Sequence, residues 1–454
     1  MDHHNPELES RRSGSFGRLS AASSSRRRSL STSFSLPRHA DDGIESESVS
    51  EAGDIGDRAL HSTRVSASGR SHFSLENFAE SGAVVPVQDD TGASFPVAPD
   101  LENISPLSVD AMVQNGEKKI DEKEVPWLLG YITCLLSLAV FGILGILVRY
   151  GLQNLFGPDV IGATSDRSYM YPDLPSNMVG SFLMGWFGVV FKADIMKVSD
   201  QLAIGLSTGF LGSLTTFSGW NQKMLDLSVN GEWIFAVLGV VIGLFLVAYS
   251  IIFGIETAKG LKWLFHRRPN ARPICSCFGD SISHKYYCLT TFMVMLLLTL
   301  ALLWSVFGAL EKREFDSGSS EAQLFLACMV GPLGVWIRWY LARLNGRGLG
   351  RDAALKWMPF GTLAANVSAA CVMAALATLK KAVRSKECNT VASGVQLGLL
   401  GCLSTVSTFV AEFHAMRESK HPWRAYAYAA ITIVVSFTLG TLIYSVPVWV
   451  RGYD

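Results

Sequence analysis

Charged residues are scarce in this chain. Asp, Glu, Lys and Arg make up 17% of its 454 residues and apolar residues make up 49%, whereas a soluble domain carries roughly a quarter charged residues. Signatures of catalysis are missing too. No glycine-rich phosphate loop precedes a lysine, no His pair has metal-ligand spacing, and no nucleophile stands with a suitable His, so an enzyme is not expected. His414 and His421 are near one another in sequence but read as solvated loop residues after an apolar run. Of the eight cysteines, Cys275 and Cys277 are separated by one residue, which is poor zinc spacing. Most of the others sit in apolar runs, where a thiol packs as a small hydrophobe. The net charge of zero points to no partner, and none among nucleic acids is expected.

Residues 1–122 hold almost no apolar run, and the first 40 show no leader-like apolar core. Such a segment cannot offset the entropy of ordering and is expected to be a disordered cytoplasmic tail. It starts rich in Ser and Arg, as in Arg26-Arg27-Arg28-Ser29, and turns acidic at Asp89-Asp90, Asp100 and Glu102. Ser29 suits a basic-directed kinase, the basic cluster suits anionic lipid, and a plain spacer explains both equally well.

After Val125 long apolar stretches alternate with short polar ones. A helix crossing roughly 30 Å of hydrocarbon needs about 20 apolar residues. Nine runs meet that need, at about 126–150, 174–192, 202–222, 233–256, 286–310, 321–343, 358–379, 391–414 and 425–449. Basic loops mark the cytoplasmic side. Lys259, Lys262, Arg267, Arg268, Arg272 and Lys285 follow the fourth run, and Arg343, Arg347, Arg351 and Lys356 follow the sixth. The loop after the fifth carries Glu311, Glu314, Asp316 and Glu321. These place the N-terminus in the cytoplasm and the C-terminus outside. The loop with Lys380, Lys381, Arg384 and Lys386 disagrees.

A shift of 189 residues lays the chain on itself without gaps. Gly145 and Arg149 fall on Gly334 and Arg338, and Asn177 falls on Asn366. Gly205, Gly209 and Gly212 fall on Gly394, Gly398 and Gly401, and Thr216 and Ser218 fall on Thr405 and Ser407. Each copy holds four runs, and the plain fifth run crosses once more, so the second copy is expected to be inverted. The expected architecture is an all-α membrane protein of nine transmembrane helices, two inverted four-helix repeats plus a linking helix, with a broken third helix in each repeat. The divisions are a tail over 1–122, a first repeat over 123–270, a linker over 271–318 and a second repeat over 319–454.

The segment Gly209-Phe210-Leu211-Gly212-Ser213-Leu214-Thr215-Thr216-Phe217-Ser218 is dense in glycine and hydroxyl for a mid-span position. The helix breaks there, freeing carbonyls for a small cation, or the small residues let helices pack closely, and the two readings can hold together. Asn177 and Asn366 are lone amides, able to replace water around an anion or to bond between helices. Arg149 and Arg338 end the first run of each copy and either snorkel, anchor the repeat or attract anions. Thr432 and Ser436 lie on one face of the last run, whereas their first-copy partners are Gly243 and Val247.

The set Gly-x-x-x-Arg, Asn-x-x-Gly-Ser-Phe and Gly-Phe-Leu-Gly-Ser-Leu-Thr-Thr-Phe-Ser resembles the CrcB/Fluc fluoride channels. The fused arrangement resembles the eukaryotic fluoride export proteins, over about residues 125–450. The resemblance implies two antiparallel units enclosing two narrow anion pores around a structural Na+. By motif position, backbone carbonyls of Gly212, Thr215, Gly401 and Ser404 would hold that ion. The pore positions implied are Asn177, Asn366, Phe217, Trp220, Phe409, Thr362, Thr432 and Ser436. Val406 replaces one expected phenylalanine, Trp220 replaces another, and Asp173 stands where Thr362 has its first-copy counterpart. Fluoride would pass ring edges, amide and hydroxyl protons. It would leave down the membrane potential, worth about 2.3 kcal/mol per 100 mV.

These departures lead to the expectation of one conducting and one vestigial pore in a monomer acting as a fused pseudo-dimer in the plasma membrane lipid bilayer. A coupled fluoride/proton carrier would favour a mid-membrane carboxylate, and Glu256 and Glu412 both lie near run ends. A non-transporting scaffold displaying the tail is the third reading.

Overall fold

The computed structural model describes residues 127–166, 168–266, 282–348 and 355–452. The tail over 1–122 lies outside them, as do Arg267, Arg268, Arg272, Cys275, Cys277 and Arg351. Among the described residues every element is helical. The first half runs α1 (Trp127–Phe156), α2 (Leu174–Leu183), α3 (Lys192–Met196), α4 (Asp200–Ile204), α5 (Gly212–Leu214), α6 (Phe217–Val229) and α7 (Trp233–His266). After α8 (Ile282–Glu314) come α9 (Ser320–Leu341), α10 (Phe360–Val383), α11 (Lys386–Val395), α12 (Gly401–Leu403), α13 (Ser407–Arg417), α14 (Trp423–Gly440) and α15 (Val446–Arg451).

Seven helical stretches among the described residues are long and apolar enough to cross a membrane. The chain is a multi-pass membrane protein. The expected second run is helical over Leu174–Val190 but shorter than the other spans, and it passes through a π-helical turn at Met184–Val190. The expected third run is not one of the seven, although the equivalent eighth run, Lys386–Arg417, is among them despite a like interruption. In both halves a π-helical turn, Gly205–Leu211 or Gln396–Leu400, leads into one short turn of α-helix. The chain then goes extended at Thr215 (φ −105°, ψ 145°) and at Ser404 (φ −83°, ψ 158°). Helical geometry resumes at α6 and α13.

Packing follows the apolar pattern. Helices α1, α8 and α9 share a core built on Leu138, Ile143, Val335 and Trp339, in which Cys134, Cys328 and Cys402 are buried as small hydrophobes. A second core gathers α2, α6, α7, α13 and α14 around Phe217, Trp220 and Phe409. Helix α8 turns Met295, Leu297, Leu298 and Leu302 outward, an apolar surface suited to lipid tails. His414 lies inside α13, half-buried, and not in the loop after it; only His421 is in that loop. The apolar run simply continues as helix to Arg417.

Candidate functional site

The two interrupted helices cap one another. Ser404 Oγ accepts the backbone N–H groups of Phe217 (3.2 Å) and Ser218 (3.0 Å) at the start of α6. Thr215 Oγ1 accepts those of Val406 (3.2 Å) and Ser407 (3.0 Å) at the start of α13. Each hydroxyl thus satisfies orphan donors of the other half's helix. The remaining donors go to the two asparagines. Thr216 N donates to Asn177 Oδ1 and Thr405 N to Asn366 Oδ1, each at 2.8 Å.

In a continuous helix these N–H groups would bond carbonyls four residues earlier. Their diversion takes the helical donor from Gly212 and Gly401. Gly219 N and Thr408 N likewise turn to Thr216 Oγ1 (3.3 Å) and Thr405 Oγ1 (3.5 Å), not to the carbonyls of Thr215 and Ser404. Four carbonyl oxygens lacking helical donors are a donor set suited to a hard cation.

Arg149 and Arg338 are buried, 1% and 4% exposed, and do not reach outward as snorkelling side chains do. The Arg338 guanidinium lies on Gly212 and that of Arg149 on Gly401, in space any Cβ there would fill. Each arginine therefore reaches the break of the other half. Arg338 Nε donates to the Cys402 carbonyl (2.7 Å) and Nη2 to that of Thr208 (2.8 Å). Arg149 Nη2 donates to the Leu397 carbonyl, while its Nε and Nη1 are buried without a partner.

Buried polar side chains line a candidate passage along α10 and α14, where these helices pack against α6 and α13. Helix α14 buries Tyr428, Thr432 and Ser436 at four-residue spacing, a single helix face. Thr432 Oγ1 donates to the Tyr428 carbonyl (2.8 Å), and Ser436 Oγ is buried with no partner. On α10, Asn366 gives one of its two amide protons to the Thr405 carbonyl (3.1 Å). The Phe409 ring lies 5.2 Å from Tyr428 and 6.1 Å from Phe217.

At one end of this passage the Glu412 carboxylate is buried, 1% exposed. It accepts from Thr362 Oγ1 (2.6 Å), Tyr428 OH (2.7 Å) and Asn345 Nδ2 (3.3 Å). Its position near a helix end suggested little from sequence; the fold buries it because α10 and α14 close over that end. At the other end a cavity of about 540 Å³ is lined by Gln222, Asp226, Lys380, Lys381, Arg384 and Tyr444.

The equivalent passage along α2 and α7 is filled. Gly243 of α7 leaves room for Trp220 and Gly239 for Met224, and Trp220 Nε1 donates to the Gly239 carbonyl (3.2 Å). A Cβ on Gly243 would meet the Trp220 indole at 2.8 Å. Tyr171 stacks on Trp220 at 5.7 Å and 4°. Its hydroxyl accepts one proton of Asn177 Nδ2 (3.3 Å), and the Thr216 carbonyl accepts at 3.2 Å. Val247 and Ile251 close the rest with apolar side chains. Phe217 lies between the passages, edge-on to Trp220 at 5.9 Å.

At the Asp173 end, Gln153 Nε2 donates to Asp173 Oδ1 (2.5 Å), and Oδ2 lies over Gly219. Burial pushes the Asp173 carboxyl above its ordinary range, against the opposing pull of Arg149, Gln153 and Lys223. Sequence reasoning missed Tyr171, Asn345 and Tyr428. Only Tyr428 left a signal, since it extends the Thr432–Ser436 spacing by one turn.

A family model described as "CrcB-like protein, Camphor Resistance (CrcB)" matches residues 136–255 and 325–443, together more than half of the chain. The fluoride-specific ion channel FluC of Geobacter metallireducens is 35% identical over 127 residues, 28% of this chain and 98% of that protein. The channel of the same name from Geotalea uraniireducens is 39% identical over 133 residues, 28% of this chain and 97% of that protein. Fluoride export protein 1 of Neurospora crassa is 26% identical over 372 residues, 70% of this chain and 66% of that protein. No solved structure matches the chain.

Proposed function

Because the chain belongs to the CrcB family, with the family domain present twice, we propose that it is a passive fluoride-selective channel that exports fluoride through the passage along α10 and α14 alone. The observation that carries this reading is a buried, unpartnered Ser436 hydroxyl on α14 together with a second amide proton of Asn366 on the adjoining α10. Fluoride is small and strongly hydrated, so a passage must supply donors as water is stripped. Ser436, Asn366 and the positive edges of Phe409 and Phe217 supply them without a full positive charge. Neutral donors also let the ion leave. The passage along α2 and α7 is vestigial in this reading. Trp220 fills it, and Tyr171 takes the proton that Asn177 would offer.

The reciprocal Thr215 and Ser404 caps support a two-fold relation between the halves, in the manner of an isologous contact. With α8 as an additional crossing, the second repeat is inverted and the chain crosses nine times. Repeats over 123–270 and 319–454 flank the linker over 271–318, and one chain makes a complete pseudo-dimer. The N-terminus is cytoplasmic, the C-terminus is extracellular, and the plasma membrane is the location from which export is useful. Lys380, Lys381 and Arg384, which contradicted this topology as loop charges, line a mouth of the passage, where cations attract anions. The carbonyls of Gly212, Thr215, Gly401 and Ser404 would hold Na+, which would add positive potential beside the passages and fix the two breaks together.

Glu412 supports a second reading, a carrier coupling fluoride to protons, because it is a titratable group on the passage. Purified protein in liposomes at an imposed voltage separates the two. Efflux that follows voltage and ignores a proton gradient supports the channel; efflux that requires the proton gradient supports the carrier. No fluoride movement in either condition would reject both.

A further inference from the structure

The filled passage ends in a group of side chains that its closure does not require. A cavity of about 180 Å³ is lined by Arg149, Gln153, Asp173, Thr216 and Gly219, among others. Three features there suit an anion. Gly219 is in the first turn of α6, a 13-residue helix whose N-terminal N–H groups carry partial positive charge. Arg149 lines the cavity, is 1% exposed, and has Nε and Nη1 unpartnered. Gln153 Nε2 already donates to a carboxylate oxygen at 2.5 Å.

We infer that this is an anion site whose occupant is the chain's own Asp173 carboxylate, a tethered anion that keeps free anions out of the first passage. Asp173 Oδ2 lies over Gly219, Oδ1 takes the Gln153 proton, and Arg149 supplies positive charge, with a smaller share from Lys223, which is itself paired with Asp166 at 2.5 Å. The corresponding end of the second passage differs. Its neutral Thr362 replaces Asp173, and Glu412 replaces Lys223. The Glu412 carboxylate sits past the first turn of α13 and is engaged by Thr362, Tyr428 and Asn345. One end therefore carries an anion on the helix start and the other leaves that start clear.

This inference rests on the first passage being closed, but its test reads stability and not conduction, so it can fail while fluoride efflux by the same preparation succeeds. The test uses full-length protein in detergent, as Asp173→Ala and as the milder Asp173→Asn, with melting temperature followed against formate concentration. Formate carries the same carboxylate without the tether. Either variant is expected to melt several degrees below the natural chain and to recover with saturating formate, while the natural chain does not respond. Equal formate response in variant and natural chain, or no response in either variant, would overturn the inference.

Discussion

Asn177 donates an amide proton to the Tyr171 hydroxyl at 3.3 Å, whereas its repeat partner Asn366 has Phe360 at the position equivalent to Tyr171. One ring oxygen thus separates a saturated amide from one with a proton to spare. Restoring that oxygen in the second half tests its weight. Phe360→Tyr is expected to slow fluoride efflux from liposomes about tenfold, the cost of about 1.4 kcal/mol on a barrier. Tyr171→Phe is expected to leave efflux within twofold. Equal effects from the two changes would remove the distinction.

The crossed caps predict a stability effect without a direct conduction role. Thr215→Ala or Ser404→Ala leaves two N–H groups of the partner helix without acceptors. Each is expected to lower stability by about 1–3 kcal/mol, read as a lower melting temperature in detergent. A loss for one and none for the other would break the reciprocity.

Much of this was legible in the sequence. The repeat, the break at Thr215 and the Thr432–Ser436 face all rest on spacing, and spacing survives folding. Part of what separates the passages also showed, in Trp220 and in Gly243 and Val247 opposite Thr432 and Ser436, but the Tyr171 contact did not. Tyr171 lies six residues before Asn177, outside any motif, and acts only because α2 brings it beside Trp220. The arginines looked interfacial because each ends an apolar run, yet each crosses to a glycine of the opposite half. Burial of Glu412 depends on three donors from α10, α14 and the Asn345 loop, far apart in sequence.

Glu412→Gln tests the carrier reading. The amide would set an NH₂ group against donors from Thr362, Tyr428 or Asn345, so efflux is expected to fall. In a channel the residual efflux still follows voltage and ignores a proton gradient. A proton-driven natural protein that becomes voltage-driven on this change would favour the carrier.

The basic mouth predicts a salt effect. Lys381→Gln with Arg384→Gln is expected to reduce efflux several-fold at low ionic strength. The deficit should shrink as salt shortens the Debye length to about 8 Å near 0.15 M. A deficit that is unchanged by salt would mean that these residues act through structure and not through charge.

The central claim is conduction through the second passage only, and paired asparagine variants test it most directly. Fluoride efflux at fixed voltage should be abolished in liposomes carrying Asn366→Asp, where a carboxylate replaces the spare donor. It should persist with Asn177→Asp, provided both proteins show intact folded fractions by size-exclusion chromatography. Loss with Asn177→Asp and survival with Asn366→Asp would contradict the account, as would equal loss in both.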